Sequence, residues 1–217
     1  SAPLASTQDA KNPIALPGVT ADGSVRLPNS WSIKPAGKHI EVGDFPISVA
    51  VSGKWAAVLH AGYGAHEIIM VSLEPKKERV VSRVTLEQTF GGLAFSDDGK
   101  ELFVGGGEHN VIHWYNVDDG HLYKHRAVKV TDDDKAKFVS GSLYYRIHRD
   151  GDLLYVPGVF GHAVSFMGPD LVTERSLVPT GNDSYPFACL ADKKNEKLYV
   201  SLWNKAAVAV IDLKTKK

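Results

Sequence analysis

Residues 198–217 read LYVSLWNKAAVAVIDLKTKK. Apolar and polar side chains alternate, pause at Trp203-Asn204-Lys205, then alternate again until Asp212 closes the run. A period of two over short segments, interrupted by turn residues, is the signature of paired β-strands. The same arrangement recurs upstream. SGKWAAVLHAG, SDDGKELFVGGG, RDGDLLYVPGV and KKNEKLYVSLW place Val58, Val104, Val156 and Val200 in register, about 46, 52 and 44 residues apart, the period of a four-stranded propeller blade.

Each unit has one internal order. An apolar strand (ISVAV, GGLAF, LYYRI, FACLA) passes through an Asp/Gly/Asn/Lys turn into a second strand that ends near the aligned valine. A loop leads to a third (EIIMVSLE, NVIHWYNVD, AVSFMGPD, AAVAVIDLK), and a fourth (RVVSRVTL, LYKHRAVKV, LVTERSLVPTG) returns to the next unit. SDDGK and RDGD suit compact hairpin turns, because Gly accepts positive φ and Asp bonds back to its own turn. No window holds an apolar pattern at helical spacing. The expected fold is an all-β propeller with about four blades visible. Residues 1–30 are expected to be an extended N-terminal segment and residues 31–217 the blades, the last of them incomplete.

The final unit shows three strands, and WSIKPAGKHIEVGDFP, residues 31–46, has the character of a fourth strand without its first three. Two arrangements satisfy this: residues 31–46 close a four-bladed ring, or the chain is part of a larger, seven-bladed ring completed by further blades or a second polypeptide. The second is favoured because such repeats usually close with more blades, and an open strand edge otherwise invites aggregation.

Composition bounds the function. The 217 residues are 43% hydrophobic and 23% charged, enough for one sizeable core. Twenty-five Lys and Arg balance 25 Asp and Glu, so the chain lacks the positive field of a nucleic-acid binder. No apolar run approaches a membrane span. The lone Cys189 excludes an intrachain disulfide and a Cys-rich zinc site. The opening SAPLASTQDAKNP has the small, polar character of a mature secreted chain, and a secreted or periplasmic location is expected.

Taken together, the apolar strand, D-G-K turn, L-Y-V, Asn-containing loop and V-x-V-I-D resemble the YVTN-type beta-propeller repeat, a WD40-like architecture. The best copy is YPFACLADKKNEKLYVSLWNKAAVAVIDLKTKK, where Tyr199-Val200-Ser201-Leu202 stands for the family tetrapeptide. The first and third units lack the tetrapeptide, and Ser72, Asn116 and Gly168 stand where Asp212 ends the last third strand. The block LPNSWSIKPAGKHIEVGDFPISVAVSGKWAAVLHAG is similar to the start of secreted bacterial proteins in which such a propeller precedes an alkaline-phosphatase-like phosphoesterase domain. That resemblance implies a non-catalytic scaffold or recognition module. The phosphoesterase's metal ligands and nucleophile would lie beyond Lys217, leaving cofactor and metal unassigned and the status of the intact protein as an enzyme open.

Within the blades, the loops between second and third strands and those leading into the next first strand should open on one face, where function concentrates on rigidly held loops. They contain His60, Tyr63 and His66; Glu108 and His109; Phe160 and His162; Trp203, Asn204 and Lys205; with Asp44, Asn182, Asp183 and Tyr185 from the inter-blade loops. His66, His109 and His162 fall at or within one residue of the same loop position, so a ring of imidazoles binding an anion, a metal or a partner is one expectation. Solvated or backbone-capping histidines are the other. A self-contained ligand-binding propeller, even a hydrolase using these histidines, is the alternative function. The spacings His109-x-x-x-His113 and His121-x-x-x-His125 put each pair about 13 Å apart on a strand, too far to share an ion. Gly105-Gly106-Gly107 reads as a tight loop, since no helix follows to cradle a phosphate.

Overall fold

The computed structural model describes residues 16–34, 36–131, 144–148, 151–168, 170–172, 175–192 and 194–217. It divides into two compact units, Ser1–His39 and Ile40–Lys217. The first contains a three-stranded antiparallel meander of β1 (Gly18–Val19), β2 (Val25–Arg26) and β3 (Ser32–Ile33). Asp22 fastens the β1–β2 turn: Thr20 Oγ1 and Ser24 Oγ both donate to its carboxylate, which those bonds hold down at about 2.

The second unit is four antiparallel sheets in sequence. The first is β4 (Pro46–Ser52), β5 (Trp55–His60), β6 (His66–Ser72) and β7 (Arg79–Leu86). The second is β8 (Leu93–Phe95), β9 (Glu101–Gly105), β10 (Val111–Asp118) and β11 (His121–Lys129). The third is β12 (Tyr144–His148), β13 (Gly151–Gly158), β14 (Ala163–Met167) and β15 (Arg175–Pro179). The last has three strands, β16 (Pro186–Asp192), β17 (Lys197–Leu202) and β18 (Ala207–Asp212). The first strands approach one another in succession, β4 to β8, β8 to β12 and β12 to β16, as radial repetition requires.

Period-two alternation decides which sheet each side chain meets. Ala57, Leu59, Ile68 and Met70 of the first sheet pack on Leu102, Val104 and Tyr115 of the second. Phe103, Ile112 and Trp114, on the opposite face, pack on Leu154, Val156 and Met167 of the third. Tyr155, Val164 and Phe166 then meet Leu198, Val200 and Ile211 of the last. The aligned valines Val104, Val156 and Val200 therefore all face the preceding sheet. Val58 faces the corresponding side of the first sheet, where Ile40, Val42 and Val80 pack on it together with Ala56, Ile69 and Val71.

Residues 31–46 depart from the expectation of a single fourth strand. Ser32–Ile33 pairs with β2, and between Ile33 and Pro46 the described residues form no further strand. Gly37 (φ +81) and Gly43 (φ +119) take positive φ there. Among the described residues β18 pairs only with β17.

The SDDGK turn is built as the sequence suggests, whereas Arg149 and Asp150 of RDGD lie outside the described residues. Asp98 Oδ1 accepts from Ser96 Oγ (2.7 Å) and the Lys100 amide (3.0 Å), with Gly99 at φ +71. Between β10 and β11, Asp119 and Gly120 both take positive φ, a hairpin turn of the primed kind. Gly120 also lets two sheets approach: an added Cβ would lie 2.7 Å from the Trp55 ring, and its carbonyl accepts from Ser82 Oγ at 2.6 Å. Gly120→Ala should therefore cost about 1–3 kcal/mol, from left-handed strain plus displacement of Trp55. A urea midpoint equal to the parent's would show that this approach is not tight.

Candidate functional site

The loops expected on one face converge on shared features. In the first sheet, the Asp44 carboxylate accepts from the Tyr63 amide (3.2 Å) and lies 3.8 Å from Nδ1 of buried His60. Gly43 permits this contact, since a Cβ there would reach the His60 ring at 2.6 Å. Asp44, Phe45, Ala61, Gly62 and Tyr63 line a cavity of about 420 Å³. Both His60 ring nitrogens are buried without a hydrogen-bond partner among the described residues.

The three aligned histidines take three different roles. His66 Nδ1 accepts from the Thr89 amide at 3.1 Å, tying the first sheet to the loop that enters the second. His109 sits exposed in the Gly107–His109 turn beside Glu108. His162 holds φ +50; its carbonyl accepts from the Thr180 amide and hydroxyl, both at 2.9 Å, and its ring meets Tyr185 edge-on at 4.8 Å. Thr180 Oγ1 in turn pairs with Ser184 Oγ at 2.8 Å. No group of three His, Cys, Asp or Glu suited to a metal occurs among the described residues.

Asn204 donates to the Asp183 carbonyl at 3.2 Å, and the Trp203 amide to the Tyr185 carbonyl at 3.0 Å, so the loop before β16 and the one after β17 are stitched together. Asn182, Asp183 and Lys205 are exposed. Phe45 and Tyr185, each preceding the proline that opens a first strand, both take positive φ, rare for bulky residues and worth attention where loops gather.

Three sheets contribute to one further cavity of about 310 Å³. It is lined by Gln88, Phe90, Gly107, Glu108, Val159, Phe160 and Trp203. Trp203 leans on Phe187 (5.8 Å), Phe187 on Phe90 (6.3 Å), and Phe160 on Tyr185 (5.9 Å), all edge to face, the arrangement that ring quadrupoles favour. The repeat points to Glu108, Phe160 and Trp203; it gives no signal for Gln88, Phe90, Val159 and Phe187. Phe187 reads as a strand residue and Phe90 precedes two glycines, so their meeting follows only from the radial packing.

The histidine spacings conceal a second arrangement. His113 and His125 meet across adjacent strands, with Nδ1 and Nε2 2.9 Å apart, and Tyr115 stacks on His125. A bulge between Trp114 and Asn116, with Lys124 at φ +52, brings His125 onto that face. Burial first, then His125 and His109, lower His113 to about 4. Burial pushes Tyr115 up to about 12.

No protein-family model matches the chain. No curated protein matches it either. Solved structures do. A Lactobacillus plantarum protein aligns with TM-score 0.65 at 11% identity, over 89% of this chain and 59% of its own. The Pseudomonas aeruginosa periplasmic gluconolactonase aligns with TM-score 0.60 at 17% identity, over 88% and 58%. Virginiamycin B lyase from Staphylococcus aureus aligns with TM-score 0.61 at 13% identity, over 88% and 59%. At these identities the likeness is one of fold, and the fold is beta-propeller-like. The chain spans about three-fifths of the length of these structures.

Proposed function

We propose that the chain is an arc of a larger, seven-bladed beta-propeller that works as a recognition scaffold, its loop end presenting the aromatic cavity. The observation that carries this reading lies on the last sheet. Ala57, Phe103 and Tyr155 are buried against the next sheet, and Tyr199, at the same repeat position, is 38% exposed. Ile68, Ile112 and Val164 are fully buried where Val208 is 58% exposed; Met70, Trp114 and Phe166 are buried where Val210 is 54% exposed. A sheet face built to be covered three times is apolar and open the fourth time. Further blades, on this chain's own protein or on a second polypeptide, are the partner that fits it. Four sheets over three-fifths of the matched lengths also suit a ring of about seven.

The YVTN-like repeats and the N-terminal block support placing this scaffold in a secreted or periplasmic protein with a phosphoesterase-like domain. Phosphomonoester hydrolysis by the intact protein, absent from this chain alone, is the matching expectation. Recognition at the loop end is tested by titrating the chain with indole and following amide resonances. Shifts should concentrate on Gln88, Phe90, Gly107, Glu108, Phe160 and Trp203; shifts confined to β16–β18, or none, would sink this assignment.

A second reading, hydrolysis by a loop histidine, rests on His162, whose Nδ1 is buried without a hydrogen-bond partner among the described residues beside Tyr185. Hydrolysis of a simple sugar lactone by the chain, lost in His162→Ala, would favour it over pure recognition.

A further inference from the structure

We infer that the segment Ile40–Val42 is a cap: it covers the face of the first sheet that would otherwise receive the last sheet of a second copy of this chain, and so blocks head-to-tail association. The inference rests on the reading of the chain as an arc of a larger ring and concerns the arc's other end.

Each sheet has a receiving face and a presenting face. The cross-strand pairs Leu102–Tyr115, Leu154–Met167 and Leu198–Ile211 receive the preceding sheet. One residue along each strand lies the opposite face, where Ala57–Met70, Phe103–Trp114 and Tyr155–Phe166 present to the following sheet. The three interfaces leave two faces over. Tyr199–Val210 presents on the last sheet, and Ala56–Val71, beside Val58 and Ile69, receives on the first. Both repeat faces that fit one another three times within the chain, so they are complementary. Joining them between copies is a heterologous contact, which leaves one free face of each kind and can continue.

The two end faces are finished differently. Tyr199 and Val210 are exposed, whereas Ala56, Val58, Ile69 and Val71 are buried. Ile40 and Val42, with Val80, pack on that buried face. Glu41, between them, is exposed, so the segment turns an apolar end into a charged one. It is also held down. Arg83 Nη1 donates to the Val42 carbonyl at 3.1 Å and to the Glu67 carboxylate at 2.9 Å, and Gly43 lies close against the His60 ring. Stacked repeats need polar outer faces at their ends to stay soluble, and this chain has one at its first sheet and an apolar one at its last.

The test mixes variants of the 217-residue chain with the parent and follows sedimentation. An acceptor carries Ile40→Ser/Val42→Ser, which loosens the cap, together with Tyr199→Glu/Val210→Lys, which blocks its own presenting face. A capped control carries the second pair alone. The acceptor by itself should stay monomeric. Mixed with the parent, it should form a 1:1 complex at least about tenfold tighter than the capped control forms. Equal binding of the parent by acceptor and control would overturn the cap, and so would binding by neither. If the parent still associates with itself in either case, the larger ring stands and the cap alone fails; failure of the ring is read separately, in the parent alone. Ile40 and Val42 are half-buried, so the acceptor's melting temperature is checked first. Should it not fold, Arg83→Gln, which removes the bond to Val42, replaces the two serine substitutions; a few-fold gain over the control is then expected, and no gain would overturn the proposal.

Discussion

Between pH 6.5 and 4 the folded chain should lose up to about 3 kcal/mol of stability, and His113→Gln should remove most of that loss. His113 is 9% exposed, and its folded-state value is lowered to about 4, by burial first and then by the neighbouring His125 and His109. An unfolded histidine titrates near 6.5. The sign follows from proton binding. Above about 6.5 both states hold the ring neutral and its full contribution is present. As pH falls, the unfolded chain takes up a proton that the folded chain refuses until about 4, so the equilibrium moves toward unfolding. The neutral tautomer that fits donates from Nδ1 to His125 Nε2, because His113 Nε2 is buried without a partner among the described residues. The titratable groups that act on His113 are His125 and His109, and Tyr115 stacks on His125. The hydrogen-bonded carboxylates of Asp98 and Asp192 are held below their usual values, so their losses fall at lower pH. Urea denaturation at half-unit pH steps reads the slope; an identical slope in His113→Gln would assign it to other groups.

Phe103→Ala should cost about 3–5 kcal/mol, and Tyr199→Ala less than about 1 kcal/mol, although the two occupy one repeat position. Phe103 is 1% exposed, its ring 5.6 Å from Trp114, within the cluster that joins the second and third sheets. Truncation would leave a cavity between two packed sheets that have little freedom to collapse. Tyr199 stands on the open face and loses little when shortened. Comparable costs at both sites would mean that Tyr199 is already covered in solution, which would contradict an open end face in this chain.

The strands and their turns were legible because alternation and Asp/Gly punctuation are local signals. Four in-register valines marked the repeat, and three of them pack the same way in successive interfaces. What the sequence did not reveal depends on register or on assembly. His113 and His125 meet only because a bulge at Tyr115 shifts pairing by a residue, and a two-residue period cannot see a bulge. Phe90 and Phe187 look like ordinary core residues, yet they end at the loop face where three sheets converge. His66, His109 and His162 share a loop position, but their partners are a backbone amide, solvent and a tyrosine ring, because the loops differ in length and backbone conformation. Residues 31–46 carry strand-like alternation, yet between Ile33 and Pro46 the described residues form no strand: Gly37 and Gly43 take positive φ, and Ile40 and Val42 pack as side chains on the first sheet.

The exposed face of Tyr199, Val208 and Val210 is proposed to lie under a further sheet, and sedimentation of the 23.6 kDa chain over a range of concentrations, with Tyr199→Glu/Val210→Lys alongside, decides it. Association should grow with concentration and be suppressed by the paired substitution, since an apolar open face and an unpaired strand edge seek a partner. A parent chain that stays monomeric throughout, with a melting temperature that falls several degrees on the paired substitution, would show that this face is already buried within the chain and contradict the larger ring.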